Sequence, residues 1–471
     1  MHLFYIYLVI SNLHYPYRDI EVDGLRKQLW LAQNDGRRLS FVYGRNYLGK
    51  KKLVLEALKE DIVMYLSIGG KNDSLALQEQ CKHCAKQLGV FVPRSISTLA
   101  ELFDFLCDEA WKRSFSLVIE NVQEIPERMP GFIAHLVKKW RTEPKKIMMN
   151  LVLICDGQKA AEELALNPGA PLKNVTDAVF KIEPLSIATV RSIQQSAATQ
   201  TELKPFDLFS FYMMTGGRPN LVRAALEAKA YTAEKILQLL LADGSAFAVD
   251  TERSIRHILG KNSDTYLSIL QLIATGVKSQ AEMEQKLGGM VIGGHLAKLE
   301  TEYELIHKTR PLLSSPESRG IVRYHIQDPA LCMWLRLILA DDSASFLLSP
   351  EERIETAKTK LLAYLKEDLT YYLIQKFRQE ETFSSVGSDW SAQARISKQK
   401  TVKYKVEEQP KIISPIDIVG LRGKKAVVAA VCPEASEFKK EPFWEQVNVL
   451  KNGPLKGYGI DARLFTLNDV L

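Results

Sequence analysis

Apolar and polar positions alternate along the first part of the chain in two rhythms. Short runs rich in Val, Ile and Leu recur: LSFVYG at 39–44, IVMYLSI at 62–68, FSLVIENV at 115–122 and MMNLVLICDG at 148–157. Between them lie segments with apolar residues at helical spacing, KKLVLEALKE after the first run and LAELFDFLCDEAWK at 99–112. Continuous apolar runs separated by amphipathic segments predict parallel strands covered on both faces by helices. From Tyr17 to about Leu185 the chain therefore reads as an α/β domain.

Beyond Leu185 the pattern changes. A helical region containing LKPFDLFSFYMMTGGRPNLVRAALE extends to about residue 258. SDTYLSILQLIATGVKSQAEMEQKLGGMVIGGHLAKLETEYELIHK then reads as helix, turn, helix, turn, helix, strand, and RYHIQDPALCMWLRLIL at 323–339 as a strand leading into an apolar helix. A further helix, ERIETAKTKLLAYLKEDLTYYLIQKF, precedes strands. TVKYKV sets Val402, Tyr404 and Val406 on one face and Lys403 and Lys405 on the other. IDIVGL, RGKK and AVVAAV read as a hairpin.

Composition narrows the class without deciding the function. The 471 residues suffice for several domains, and 46% hydrophobic with 25% charged residues is ordinary for soluble globular protein. A net charge of +6 permits an acidic partner and does not demand one. Six scattered cysteines (81, 84, 107, 155, 332, 432) predict a reduced, cytoplasmic setting. Cys81 and Cys84 form a lone C-x-x-C within a helical run, read as structural, so no metal site is assigned. The apolar run Leu3 to Ile10 is too short to span a membrane, and it lacks a basic leader and a cleavage site. No membrane partner is expected.

Candidate chemistry starts at FVYGRNYLGKKKLVLEAL, residues 41–58. Gly44, Gly49 and Lys50 follow the order G-x-x-x-x-G-K between a predicted strand and a predicted helix. In a phosphate-binding loop, glycines let backbone N–H groups turn toward the phosphates, the lysine pairs with them, and a following hydroxyl ligates magnesium. Here Lys51 replaces the hydroxyl. The complementary strand should end in a metal-holding Asp followed by a Glu that activates water; it ends in Glu120 and Asn121. Glu120 keeps a carboxylate, while an amide cannot act as general base. Both departures fall on the hydrolytic side.

In these motifs and their order the chain resembles the archaeal-type ATPases among the signal-transducing P-loop ATPases with numerous domains (STAND), relatives of the AAA+ proteins. That family opens with Y-G-R-R-x-x-G-K-T, similar to YGRNYLGKK at 43–51, and continues with I-D-E-F-Q, similar to IENVQ at 119–123. LVLICDG at 151–157 loosely matches its L-x-L-I-x-G-S strand. Its P-L-x-G-R segment is kept at Pro171 and Leu172 but has Asn174 for the arginine, and its lid motif is intact from Gly216 to Pro219. The resemblance implies an extension at 1–17, a P-loop core at 18–185, a helical lid at 186–258, a winged-helix domain at 259–345 and a C-terminal domain at 346–471, similar to the PD-(D/E)xK nuclease fold. It implies a nucleotide site at Gly44, Arg45, Gly49, Lys50, Lys51, Gly217 and Pro219, with ATP as cofactor and magnesium poorly held. In the C-terminal domain Asp417 matches the nuclease Asp, with Glu367 on the preceding helix, but Val431, Cys432 and Pro433 stand where E-x-K belongs, so DNA cleavage is not expected.

A winged helix suggests DNA, yet from Gly289 to Glu304 the only formal cation is Lys298, against Glu300, Glu302 and Glu304. A phosphate-rich groove disfavours that face. Lys308, Arg310, Lys403 and Lys405 are the candidate nucleic-acid contacts, and packing against protein is the favoured role. The leading expectation is an ATP-binding switch or scaffold with weak or lost hydrolysis. Two alternatives stay open: a competent ATPase using Glu120 or Glu124, and a DNA-binding regulator whose core is purely structural.

Overall fold

The computed structural model describes residues 18–70, 72–144, 146–242, 245–260, 263–314, 322–339, 348–390 and 416–471. The apolar extension at 1–17 and the predicted strand carrying Lys403 and Lys405 lie outside them. The chain divides into two compact units: one runs to Pro184 and takes in Arg218–Asn220, the other holds Leu185–Gly217 and Leu221–Leu471.

The first unit is an α/β layer built on a five-stranded parallel sheet. Helix α1 (Asp19–Asn34) leads into β1 (Arg38–Gly44), α2 (Lys50–Ala57), β2 (Val63–Ser67), α3 (Asp73–Leu88), α4 (Leu99–Glu109), β3 (Phe115–Glu120), α5 (Phe132–Thr142), β4 (Met149–Asp156) and β5 (Ala178–Lys181). Sheet order is β2-β3-β4-β1-β5, every neighbouring pair parallel. Successive strand residues point to opposite faces, and each face has its own core. Phe41, Leu117, Ile119, Leu151 and Leu153 pack with Leu102, Phe103 and Leu136 on one side. On the other, Val42, Val118, Val152 and Ile154 pack with Val22, Leu25, Leu53 and Val54. Burial on both faces is why these strands read as unbroken apolar runs. Strand β5 escapes that reading because it is a four-residue edge strand with alternating exposure.

Helix α3 carries the C-x-x-C: Cys84 is fully buried against the sheet and Cys81 is half-buried. Among the described residues no group of three or more His, Cys, Asp or Glu side chains is placed to hold a metal ion. No described helix is long and apolar enough to cross a membrane.

The second unit begins with α6 (Ile187–Ala197), α7 (Pro205–Thr215), α8 (Pro219–Glu227, whose first two residues group with the first unit), α9 (Ala233–Leu241) and α10 (Ala246–Leu259). Next come α11 (Ser263–Ala274), α12 (Gln280–Lys286), α13 (Gly293–Thr301) and the antiparallel pair β6 (Ile306–Thr309) and β7 (Arg323–Ile326), around a core that includes Ile269, Leu270, Leu296, Leu299 and Ile306. Asp328 caps α14 (Pro329–Trp334), accepting from Ala330 N at 2.9 Å. After α15 (Pro350–Ala363) and α16 (Leu365–Gln379), a separate four-stranded sheet follows in the order β11-β10-β9-β8. Its strands are β8 (Ser385–Asp389), β9 (Ile416–Arg422), β10 (Lys425–Val431) and β11 (Gly459–Phe465), with α17 (Lys440–Lys451) against it. The hairpin read from IDIVGL and AVVAAV forms, turning at Gly423 with φ 58° and opening Arg422, Lys424 and Lys425 to solvent. A bidentate pair, Arg336 Nη1 to both oxygens of Asp368 at 2.6 Å, is buried between α14 and α16.

Candidate functional site

The loop between β1 and α2 is shaped by three residues with positive φ: Gly44 at 155°, Tyr47 at 66° and Gly49 at 78°. Gly44 is required by close approach, since a Cβ there would sit 2.2 Å from the Ile182 carbonyl oxygen. Gly49 is the left-handed residue that starts α2. Leu48 is buried with the apolar residues of α2 and anchors the loop from within. The backbone N–H groups of Arg45, Asn46, Tyr47, Leu48 and Gly49 donate to no acceptor among the described residues. Open donors around a helix start are an arrangement that suits an anion.

Lys50 is buried across this loop. Its Nζ donates to Gly44 O at 2.9 Å and Arg45 O at 2.6 Å and pairs with Asp156 Oδ1 at 2.5 Å. An ammonium has three donors, so all three are engaged. Asp156 ends β4, beside Gly44 in the register of β1 and β4. The Asn46 amide also faces this carboxylate. Asp156 is the site residue that motif reading missed. The available signal was ICD at the end of an apolar strand, a position shared with Gly44 only once strand order is known.

Lys51 turns away from the loop interior. Its Nζ lies 4.1 Å from the centre of the Tyr65 ring and 3.9 Å from Glu120 Oε2. Glu120, at the end of β3, also accepts from the Tyr65 hydroxyl, and Ser67 Oγ lies 3.4 Å away. Burial, followed by the bond to Glu120, raises the Tyr65 pKa well above its ordinary value, so the phenol stays a donor. Asn121 sits in the left-handed region at φ 62°, a conformation that favours Asn, and its Nδ2 donates to Ile68 O at 3.1 Å. Both features give it a local structural role. Glu124 stands apart from the loop: its carboxylate packs against Gly69 and lies 3.9 Å from Arg128 Nε.

Of the remaining sequence candidates, Pro219 groups with the first unit and the others lie in the second. Gly217 (φ 66°) has Leu185 O where a Cβ would come within 2.3 Å, while its own carbonyl accepts from Leu185 N at 2.8 Å. Pro219 is the first residue of α8. Lys308 pairs with Glu300 at 2.8 Å, and Arg310 is exposed after β6. Asp417 and Glu367 line the same cavity, each already paired: Asp417 Oδ2 with Lys366 at 3.0 Å, and Glu367 Oε1 with Lys278 at 2.6 Å.

No protein-family model matches the chain, and no curated protein does. Solved structures give similar chain paths. A Walker-type ATPase of Pyrococcus abyssi aligns at 16% identity and a TM-score of 0.47, over 68% of this chain and 95% of that one. The ORC2 protein of Aeropyrum pernix, solved as ADPNP–ADP complexes, aligns at 13% identity and a TM-score of 0.44, over 74% and 95% of the two chains. A signal transduction ATPase with numerous domains from Pyrococcus horikoshii, bearing a tetratricopeptide repeat sensor, aligns at 12% identity and a TM-score of 0.32, over 75% of this chain and 47% of that one. With identities and TM-scores this low, these likenesses add nothing to the chemistry argued from the site.

Proposed function

We propose that the chain binds a nucleotide, ATP by the resemblance of its motifs, in the loop between β1 and α2, and works as a nucleotide-responsive switch or scaffold with little or no hydrolysis. The observation that carries this reading is the set of five unengaged N–H groups from Arg45 to Gly49 beside the Lys50 ammonium. Phosphate oxygens supply the acceptors these donors lack. To reach Lys50, a nucleotide must take it from Asp156, because the ammonium has no donor left. Releasing Asp156 frees a carboxylate at the end of β4, and that exchange is the switching event.

Lys51 and Glu120 explain why catalysis is weak. An ammonium 3.9 Å from the carboxylate occupies its charge, and the hydroxyl that would share a magnesium ion is missing. With Asn121 bonded to Ile68 O, no base follows on β3. Nucleotide therefore binds with little magnesium dependence and turns over negligibly.

Calorimetric titration of ATP, with and without magnesium, tests this together with a phosphate-release assay. Wild type should bind with less than about a threefold change on adding magnesium. Asp156→Asn should bind about tenfold tighter, since the variant removes a charge that competes for Lys50 and repels phosphate. Robust magnesium-dependent phosphate release would overturn the reading in favour of a competent ATPase. Absence of binding to both proteins would leave the loop a structural relic, as the DNA-binding-regulator reading requires.

A further inference from the structure

A cavity of about 840 Å³ opens within the second unit, lined by β6, β7, α16, β8 and the start of β9. Cationic side chains outnumber carboxylates in its lining, and the carboxylates are mostly spent. Glu367 pairs with Lys278, Asp368 with Arg336, and Asp417 with Lys366. Glu282 accepts from Ser279 Oγ at 2.8 Å. Arg310, Arg323 and Arg378 have no carboxylate within ion-pair distance among the described residues. Arg310 and Arg378 are exposed, whereas Arg323 is half-buried with its guanidinium 4.6 Å over the Trp390 ring.

Trp390 is 5% exposed and lines the cavity, and its buried indole N–H has no acceptor among the described residues. His325, stacked on His307 at 5.5 Å, lies among the same cations. Its pKa falls well below the ordinary value, first through burial, then through repulsion by Lys278, His307, Arg323 and Arg378. An unbalanced positive field and an unused buried donor both call for an anion with several acceptor atoms.

We propose that this cavity binds a small organic phosphomonoester, its phosphate held by the guanidinium groups of Arg323, Arg378 and Arg310. Forked guanidiniums match phosphate oxygens in pairs, and three of them suit a dianion. The volume is that of a small-molecule pocket, larger than phosphate alone, and Tyr364, Tyr371 and Trp390 offer aromatic surface for the organic part. Duplex DNA fits this lining poorly. Its backbone needs cations spread over a convex or grooved face, and Lys308 at the rim is already paired with Glu300.

The test titrates AMP and, separately, inorganic phosphate into the full chain. AMP should bind wild type and Lys50→Ala alike, which separates this site from the loop between β1 and α2. Arg323→Gln should weaken AMP at least tenfold. Arg378→Lys, which keeps the charge and loses the fork, should weaken it several-fold. Trp390→Phe, which removes the indole N–H, should weaken it a few-fold in protein shown by its circular dichroism to be folded. Inorganic phosphate should bind several-fold more weakly than AMP. If Arg323→Gln lowers the melting temperature, Arg323→Lys replaces it as the readout. The proposal fails if Arg323 and Arg378 variants bind AMP as wild type does, or if Lys50→Ala abolishes binding. It also fails if inorganic phosphate binds as tightly as AMP, or if a short DNA duplex shows the arginine dependence and AMP does not.

Discussion

Glu120 in the first unit and Asp417 in the second are both carboxylates that the sequence marks for metal chemistry, and each is met by a lysine. Lys51 Nζ lies 3.9 Å from Glu120 and Lys366 Nζ lies 3.0 Å from Asp417. Their surroundings then differ. Beside Glu120 the loop keeps five unengaged N–H groups and a buried lysine. Asp417 instead accepts from Val431 N at 2.8 Å, so the strand that should supply catalytic side chains supplies a backbone bond. Losing the metal's ligands does not by itself retire a site. What separates the two carboxylates is their surroundings: unengaged backbone donors near Glu120, a backbone bond already made at Asp417.

The loop's cation separates Glu120's surroundings from Asp417's most directly. Lys50→Ala should lower ATP affinity by about a hundredfold or more, roughly 2.7 kcal/mol, whereas Asp417→Ala should leave it unchanged. Calorimetry on both variants checks this. Equal affinity for wild type and Lys50→Ala would mean that the loop is as inert as the Asp417 site.

A second effect, about tenfold, concerns the lysine that meets Glu120. Lys51→Thr removes the ammonium and restores a hydroxyl one residue after Lys50, so Glu120 and the new hydroxyl can share a cation. ATP should then bind this variant about tenfold tighter with magnesium than without, while wild type changes little. Magnesium titrations followed by calorimetry distinguish the two. An identical magnesium response in both proteins would sever the link between Lys51 and the lost metal.

Much of the fold was legible because its strands are doubly buried. LSFVYG, IVMYLSI, FSLVIENV and MMNLVLICDG each correspond to a strand of the central sheet. Strand β5 was not legible, being short and half-exposed at an edge, and β8 and β11 were not read either; β11 alternates exposed and half-buried residues along nearly its whole length. At the site, Gly44, Gly49 and Lys50 could be read because their order is tied to backbone geometry. Asp156 could not, because its proximity to Lys50 depends on β4 pairing directly with β1, a contact between residues more than a hundred positions apart. The direction of Lys51 was equally hidden, as Tyr65 and Glu120 reach it from two other strands.

The charge surplus around the second unit's cavity gives a smaller, pH-dependent effect. His325 has its pKa lowered from 6.5 in the folded chain, so above that pH neither state holds the proton and the group contributes nothing. Below 6.5 the unfolded chain takes up a proton that the folded chain refuses. Stability then falls as pH drops, by at most about 1.4 kcal/mol per pH unit, until the depressed folded-state value is reached. His325→Gln should flatten this part of the profile relative to wild type in urea unfolding between mild acid and neutrality. Parallel profiles would show that His325 is not held neutral.

The smallest effect is expected where the comparison is most one-sided. Asp417→Asn keeps an oxygen that can accept from Val431 N and removes only the charge opposite Lys366. The Lys366 side chain is 57% exposed and that of Asp417 15%, so solvent screens the pair from the lysine side only, and its loss should cost about 1 kcal/mol. Wild type and variant should both leave supercoiled DNA intact in magnesium or manganese, because Val431 and Pro433 offer no second carboxylate and no lysine. Urea unfolding and a nicking assay on the same preparations read both quantities. A stability loss of several kcal/mol would make Asp417 a buried keystone of the sheet, and metal-dependent nicking by wild type that disappears in Asp417→Asn would restore it as a working metal ligand.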